Sequence, residues 1–298
     1  MLVEAPRLVR LPDGRTLALD DVGDPAGLPV VYLHGTPDSR LARHPDDDVA
    51  RECAVRLIAV DRPGAGQSDP NPQGTLGSLG ADLRHLLDEL AIERTILLGW
   101  SAGGLFALAA AAELGERVLA LGLVATVPPV EAYADSGVVA ALGPGRRPFV
   151  ELAAELQPTE LAAEMVPYLV PRPLTPDLAL AHVLESAGDL GRAELAAVPG
   201  AAERLAEALA ESVRGGDGGL AHDLVLQLEP GLDLSPVRCP VRSFHGSDDG
   251  VSPPEVGAWL ASHLRHAVLD LVPDAGHHLL FPRWRGILRA LVRDASNP

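Results

Sequence analysis

The chain has 298 residues, 47 % hydrophobic but only 3 % aromatic, so one large domain, or a domain with a sizeable insertion, must pack a core of mainly Ala, Val and Leu. Its formal charge of −17 and the lack of any basic stripe argue against a nucleic-acid partner. All 24 basic residues are arginine, which excludes chemistry that needs a Schiff-base lysine or a phosphate-loop lysine.

Met1-Leu-Val-Glu-Ala-Pro6 has an early acid and no apolar core, unlike a secretory leader. No run approaches the roughly 18 apolar residues of a membrane span, so no membrane partner is expected. The expectation is a cytoplasmic protein, and the wealth of Arg, Ala, Gly and Pro suits a high-GC bacterial genome. Cys53 and Cys239 each lie beside a predicted strand and read as free, buried thiols.

Arg7–Leu11 and Thr16–Asp20 alternate around Pro12-Asp13-Gly14, the pattern of an antiparallel hairpin. Val30–Leu33 is an unbroken apolar run, as in a strand buried on both faces, and ends in His34-Gly35-Thr36-Pro37. A short helix over Asp46–Ala54 leads to a second buried strand, Arg56–Val60, closed by Asp61-Arg-Pro-Gly-Ala-Gly-Gln-Ser68. Leu79, Leu83, Leu86, Leu87 and Leu90 fall at helical spacing and predict a helix over 76–90. The stretch opening with Thr95-Ile-Leu-Leu then reads as a short apolar strand, a turn crowded with small residues with Ser101 at its corner, and an alanine-rich helix, followed by a strand over Val118–Ala125. This alternation predicts an α/β fold with a mostly parallel central sheet and helices on both faces.

From residue 128 to 236 the strand rhythm stops. Phe149–Leu156, Thr159–Met165, Asp177–Ala187, Glu194–Ser212 and Leu220–Leu228 read as helices, and Gly215–Gly219 as a flexible joint or surface loop. Strand character returns over Arg238–His245 and Ala267–Val272, with helices over Glu255–Leu264 and Leu280–Val292. The expected division is a core of residues 1–127 and 237–298 with a helical cap inserted at 128–236.

Gly99-Trp100-Ser101-Ala102-Gly103 has a steric logic. A strand that reverses sharply into a helix forces its corner residue toward positive φ, and flanking side chains would collide. Glycines two before and two after leave room, while the helix N-terminus points its amides at the serine hydroxyl. Thr36, Asp61, Ser101, Asp249 and His277 all lie at the carboxyl ends of predicted strands, the edge where open α/β sheets bind ligands. Serine is a poor nucleophile at neutral pH and needs a base; His277 would serve, with Asp249 fixing its tautomer. Pro37 has no N–H, so the amides of Thr36 and Ala102 are the candidate oxyanion donors. His34, Gly35, Trp100 and Gly103 surround this group. Turn geometry alone leaves Asp248 as a rival acid and His278 as a rival base.

These motifs resemble the α/β-hydrolase superfamily, in its serine-nucleophile branch of esterases and proline-iminopeptidase-like hydrolases with a helical cap. The Gly-x-Ser-x-Gly elbow and the order Ser, Asp, His carry the likeness. The family's acid turn, Gly-x-x-Asp-x-x-x-Pro, falls on Gly246, Asp249 and Pro253, and its terminal Gly-His on Gly276 and His277. The family turn Asp-Arg-x-Gly-x-Gly-x-Ser falls on Asp61–Ser68, where its role is mainly structural. Gly99–Gly103 departs from the Gly-Gly-Ser-Trp-Gly elbow of proline iminopeptidases, and a serine at the corner departs from epoxide hydrolases and dehalogenases. The resemblance implies an esterase-like hydrolase acting on a small molecule, with no cofactor and no metal. Same-fold alternatives are carbon–carbon hydrolysis, acyl transfer or natural-product tailoring, and a catalytically silent binding module. His182, His222, His263 and His266 read as solvated or packing residues, His245 as structural, and Leu152, Leu156, Met165, Tyr168 and Leu169 as the cap underside or its packing.

Overall fold

The computed structural model describes residues 5–143 and 147–296; Met1–Glu4, the start of the stretch read for a leader, lies outside them. Eight strands form one sheet in the order β1-β2-β4-β3-β5-β6-β7-β8. They are β1 (Arg7–Arg10), β2 (Thr16–Gly23), β3 (Leu28–Leu33), β4 (Val55–Val60), β5 (Thr95–Trp100), β6 (Val118–Val124), β7 (Val241–Gly246) and β8 (Ala267–Val272). The β1–β2 hairpin and its junction to β4 are antiparallel; every other pairing is parallel.

Period-2 alternation explains the two cores. Val31, Leu33, Ile58, Val60, Leu97, Leu121 and Leu123 point to one face, and Val30, Tyr32, Leu57, Ala59, Ile96, Leu98 and Val124 to the other. Because both faces bury apolar side chains, these strands read as unbroken hydrophobic runs. The first face is covered by α2 (Ser78–Glu89), α3 (Ala102–Leu114) and α11 (Pro254–His263), and the second by α1 (Asp48–Glu52) and α12 (Leu280–Ser296). β8 closes one edge of the sheet and leaves Val268 and Leu271 half exposed.

Between β6 and β7 the chain is helical: α4 (Ser136–Ala141), α5 (Arg147–Glu155), α6 (Pro158–Leu169), α7 (Pro176–Ser186), α8 (Gly188–Ala196), α9 (Ala201–Ser212) and α10 (Gly218–Leu226). Phe149, Leu161, Val166, Leu209, Leu220 and Leu224 give this layer a small core of its own. The helix expected over 194–212 is two helices, because Pro199 cannot donate to the helical ladder and Gly200 turns the chain at φ 83°. The glycine run 215–219 is not a free joint throughout. Gly219 packs so tightly that a Cβ there would lie 2.0 Å from the Gly64 carbonyl oxygen, whereas Gly215, Gly216 and Gly218 are open. The strand expected from Arg238 starts at Val241, after Pro240. Cys53 is buried, Cys239 is partly exposed, and both are free thiols. Among the described residues no helix is long and apolar enough to cross a membrane.

Candidate active site

Sheet order reverses direction at β3, which has β4 on one side and β5 on the other. Ligands in open α/β sheets gather at the carboxyl ends of strands beside such a switch. At the end of β5 the chain turns into α3 through Ser101, held at φ 55° and ψ −126°. That conformation costs an L residue on the order of 1–3 kcal/mol and persists because neighbours fix it. The Ser101 amide donates to the Val124 carbonyl at 2.9 Å, and the Ser101 carbonyl accepts from Gly104 and Val127. A Cβ on Gly99 would sit 2.4 Å from the Gly103 carbonyl oxygen, and one on Gly103 2.2 Å from that of Leu33. Both glycines are therefore steric necessities of the corner.

The Ser101 Oγ lies 2.9 Å from His277 Nε2, and His277 Nδ1 lies 2.9 Å from Asp249 Oδ2. The other carboxylate oxygen accepts the amides of Val251 and Ser252, each at 2.8 Å. Burial alone would push the Asp249 carboxyl up, but the adjacent His277 ring and the two amides hold it below the usual range. An acceptor-only carboxylate sets the tautomer: Nδ1 carries the proton and Nε2 is free to accept from the serine. Of the rivals, Asp248 is exposed and its carboxylate accepts the Ser247 hydroxyl at 2.6 Å. His278 turns its ring against Trp100 with centroids 5.9 Å apart, and burial lowers its pKa to about 3.

Two partners hold the His277 turn. Trp100 Nε1 donates to the His277 carbonyl at 3.0 Å. Glu194, reaching across from α8, accepts the amides of Gly276 at 2.7 Å and His278 at 3.0 Å. Glu194 leaves no local signature in the sequence, because it stands 82 residues before the Gly276 amide it binds.

The turn after β3 is fixed in the same manner. His34 Nε2 accepts the Arg62 amide at 3.1 Å, so its Nδ1–H donates to the Gly35 carbonyl at 2.8 Å. The Arg62 guanidinium donates to the His34 carbonyl, to Thr36 Oγ1 at 3.0 Å, and to Asp223 Oδ1 of α10 at 2.8 Å. The Thr36 hydroxyl in turn donates to Asp223 Oδ2 at 2.5 Å. Arg62 belongs to the Asp61–Ser68 turn read as mainly structural, and Asp223 was not singled out, since only the fold brings the two together. Among the described residues the amides of Thr36 and Ala102 have no partner, and both residues line the cavity at Ser101. Asp61, grouped with the rim in sequence, is fully buried beneath Arg40, which donates to it through its amide and its guanidinium, each at 2.7 Å.

His245, next to last in β7, is fully buried, with one 3.3 Å bond to the Ser252 carbonyl and, among the described residues, no partner for Nε2. Burial lowers its pKa to about 4, below the 6.5 of an unfolded histidine. The unfolded chain therefore takes up this proton first, and the residue withdraws stability as pH falls from 6.5 toward 4. His245→Leu is expected to flatten that part of the stability profile by about 1–2 kcal/mol at pH 5, read from urea unfolding at pH 7 and pH 5. An unchanged pH slope would refute the assignment.

A cavity of about 270 Å³, at the small end for ligand pockets, opens over Ser101 and His277. Its floor is Thr36, Asp38, Trp100 and Ala102, and its roof comes from the helical layer: Phe149, Met165, Tyr168, Leu169, Leu205 and Leu209. Of the five residues read as cap underside or packing, Met165, Tyr168 and Leu169 line the cavity, whereas Leu152 and Leu156 pack inside the layer. His182, read as a solvated or packing residue, also lines the cavity. His263 stacks on Trp259 at 3.9 Å, away from it.

Residues 29–283 match the sequence profile of the alpha/beta hydrolase fold. The chain belongs to the α/β-hydrolase family. It is 31 % identical over 277 residues to a dihydrolipoyllysine-residue acetyltransferase component of the acetoin cleaving system from Pseudomonas putida, matching 89 % of this chain but 62 % of that one. The chain therefore spans less than two thirds of that relative. A pimeloyl-[acyl-carrier protein] methyl ester esterase from Chromobacterium violaceum is 28 % identical over 87 % of this chain and 89 % of its own. In structure, the esterase RhEst1 from Rhodococcus sp. ECU1013 aligns with TM-score 0.69 over 99 % of this chain and 100 % of that one. At 22 % identity that likeness speaks for the fold alone.

Proposed function

We propose that the protein is a serine hydrolase that cleaves an ester, lactone or related acyl bond of a small molecule. The hydrogen-bonded chain from Ser101 through His277 to Asp249, set at a strained strand–helix corner, carries this reading. His277 Nε2 takes the Ser101 proton as Oγ attacks the carbonyl carbon, and Asp249 stabilises the imidazolium that forms. The amides of Thr36 and Ala102 hold the oxyanion, a contribution of about 3 kcal/mol per donor in such sites. His277 then returns its proton to the leaving alkoxide, and water repeats the sequence on the acyl-enzyme. Residues 128–236 act as a cap whose underside contacts the acyl or alcohol part of the substrate.

The name of the Chromobacterium relative favours ester cleavage, and that of the Pseudomonas relative makes acyl transfer the second reading. Products formed with and without an added alcohol acceptor separate the two. The primary test is intact-mass analysis after fluorophosphonate treatment. One adduct is expected on the wild-type protein and none on Ser101→Ala; a folded wild-type protein that stays unlabelled would sink the reading.

A further inference from the structure

Asp38 stands out among the residues around the cavity. It follows the turn His34-Gly35-Thr36-Pro37 and lines the cavity wall, and among the described residues its carboxylate accepts no hydrogen bond and joins no ion pair. A Cβ built on Gly35 would lie 3.0 Å from Asp38 Oδ2 and 3.2 Å from the Cβ of Ser101. The Asp38 carboxylate oxygen therefore lies within about 6 Å of the Ser101 Cβ.

Asp38 feels Arg62 and His277 at a distance but has no bonded counter-ion among the described residues. Arg62 is near, but its Nε and Nη2 are given to Asp223 and its Nη1 to the His34 carbonyl. Among the described residues no arginine lines the cavity, and the chain has no lysine. The other carboxylate beside the reaction centre, Asp249, is already committed to His277. Burial pushes the Asp38 carboxyl up to about 7, outweighing the opposing pull of Arg62 and His277. An isolated carboxylate beside apolar walls is costly unless a cation or donor satisfies it.

Building on the serine-hydrolase reading, we propose that Asp38 is a recognition residue for the substrate, and that the substrate is a small acyl compound carrying an ammonium group next to its scissile carbonyl. The ammonium lies against Asp38 while Ser101 attacks the carbonyl, with the apolar remainder against Met165, Leu169 and Leu209. The same geometry disfavours anionic acyl compounds.

Two isosteric esters test this, 4-nitrophenyl alaninate and 4-nitrophenyl isobutyrate, which differ by NH₃⁺ for CH₃. The ratio of their kcat/KM values, corrected for spontaneous hydrolysis, is expected to fall at least tenfold in Asp38→Asn and to recover in part in Asp38→Glu. A ratio that stays within threefold of wild type in a folded Asp38→Asn protein overturns the proposal. A second arm is independent of turnover: titration calorimetry of n-butylammonium chloride and of 1-butanol into Ser101→Ala, with and without Asp38→Asn. Binding of the ammonium alone, weakened at least tenfold by Asp38→Asn, supports the assignment, and absent or unaltered binding refutes it. Fluorophosphonate labelling of the wild-type protein reports on the serine reading separately, so either idea can fail without the other.

Discussion

Asp249→Asn is expected to lower kcat for ester hydrolysis about 10³- to 10⁴-fold while leaving the far-UV circular dichroism unchanged. The amide oxygen of asparagine can still accept the Val251 and Ser252 amides, so the turn after β7 keeps its shape. What changes is the group facing His277. An NH₂ donor there obliges Nδ1 to accept, which moves the ring proton to Nε2 and aims it at the Ser101 hydroxyl. The base is then blocked without being displaced. Steady-state kinetics on a 4-nitrophenyl ester check this, with Asp248→Asn as control; that exposed residue is expected to change kcat less than twofold. A loss below tenfold at Asp249, or a large one at Asp248, would overturn the assignment of the acid.

The largest effect on folding is expected from Gly103→Ala. Its methyl group would sit 2.2 Å from the Leu33 carbonyl oxygen and 2.4 Å from that of His34, both main-chain atoms that cannot swing aside. Relief requires α3 to move away from β3, which breaks the packing at Ala102 and Leu105. A loss of about 3 kcal/mol is expected, at the upper end for overpacking. Gly286→Ala serves as the opposite case. Gly286 is exposed within α12, and a Cβ there would meet nothing within 4 Å. This change is expected to stabilise by about 0.5–1 kcal/mol, because alanine restricts the unfolded chain and favours helix. Thermal and urea unfolding of the two variants decide the matter: if Gly103→Ala is as stable as Gly286→Ala, the close approach at the corner is wrong.

Much of this architecture was legible in the chain because its signals are local. Val30–Leu33, Arg56–Val60 and Thr95–Trp100 announce a doubly covered sheet by unbroken apolar runs, and Gly99 and Gly103 announce the corner by their spacing around Ser101. Helical period located most of the layer after β6. Its finer divisions were harder, since the break at Pro199-Gly200 interrupts an apolar pattern that otherwise continues from Glu194 to Ser212. Choosing between Asp248 and Asp249, or between His277 and His278, lay beyond periodicity, because neighbours in a turn differ only in where the turn points them. Asp223 and Glu194 were invisible for another reason. Each sits on an amphipathic helix where an acid usually faces water, and only tertiary contact with Arg62 or the Gly276 amide reveals a different task. Asp38 hid in the same way, as one more acid in a chain with 41 of them.

The helical layer is fastened to the sheet by Glu211 on Arg40, by Asp223 on Arg62 and Thr36, and by Glu194 on the His277 turn. All three fasteners leave from α8, α9 and α10. None leaves from α6 or α7, where Tyr168 and Leu178 stand open to solvent. This divides the cavity into a wall bonded straight to the sheet and an opposite wall, Met165, Tyr168, Leu169 and His182, that reaches the sheet at second hand, through apolar packing on α9 and α10.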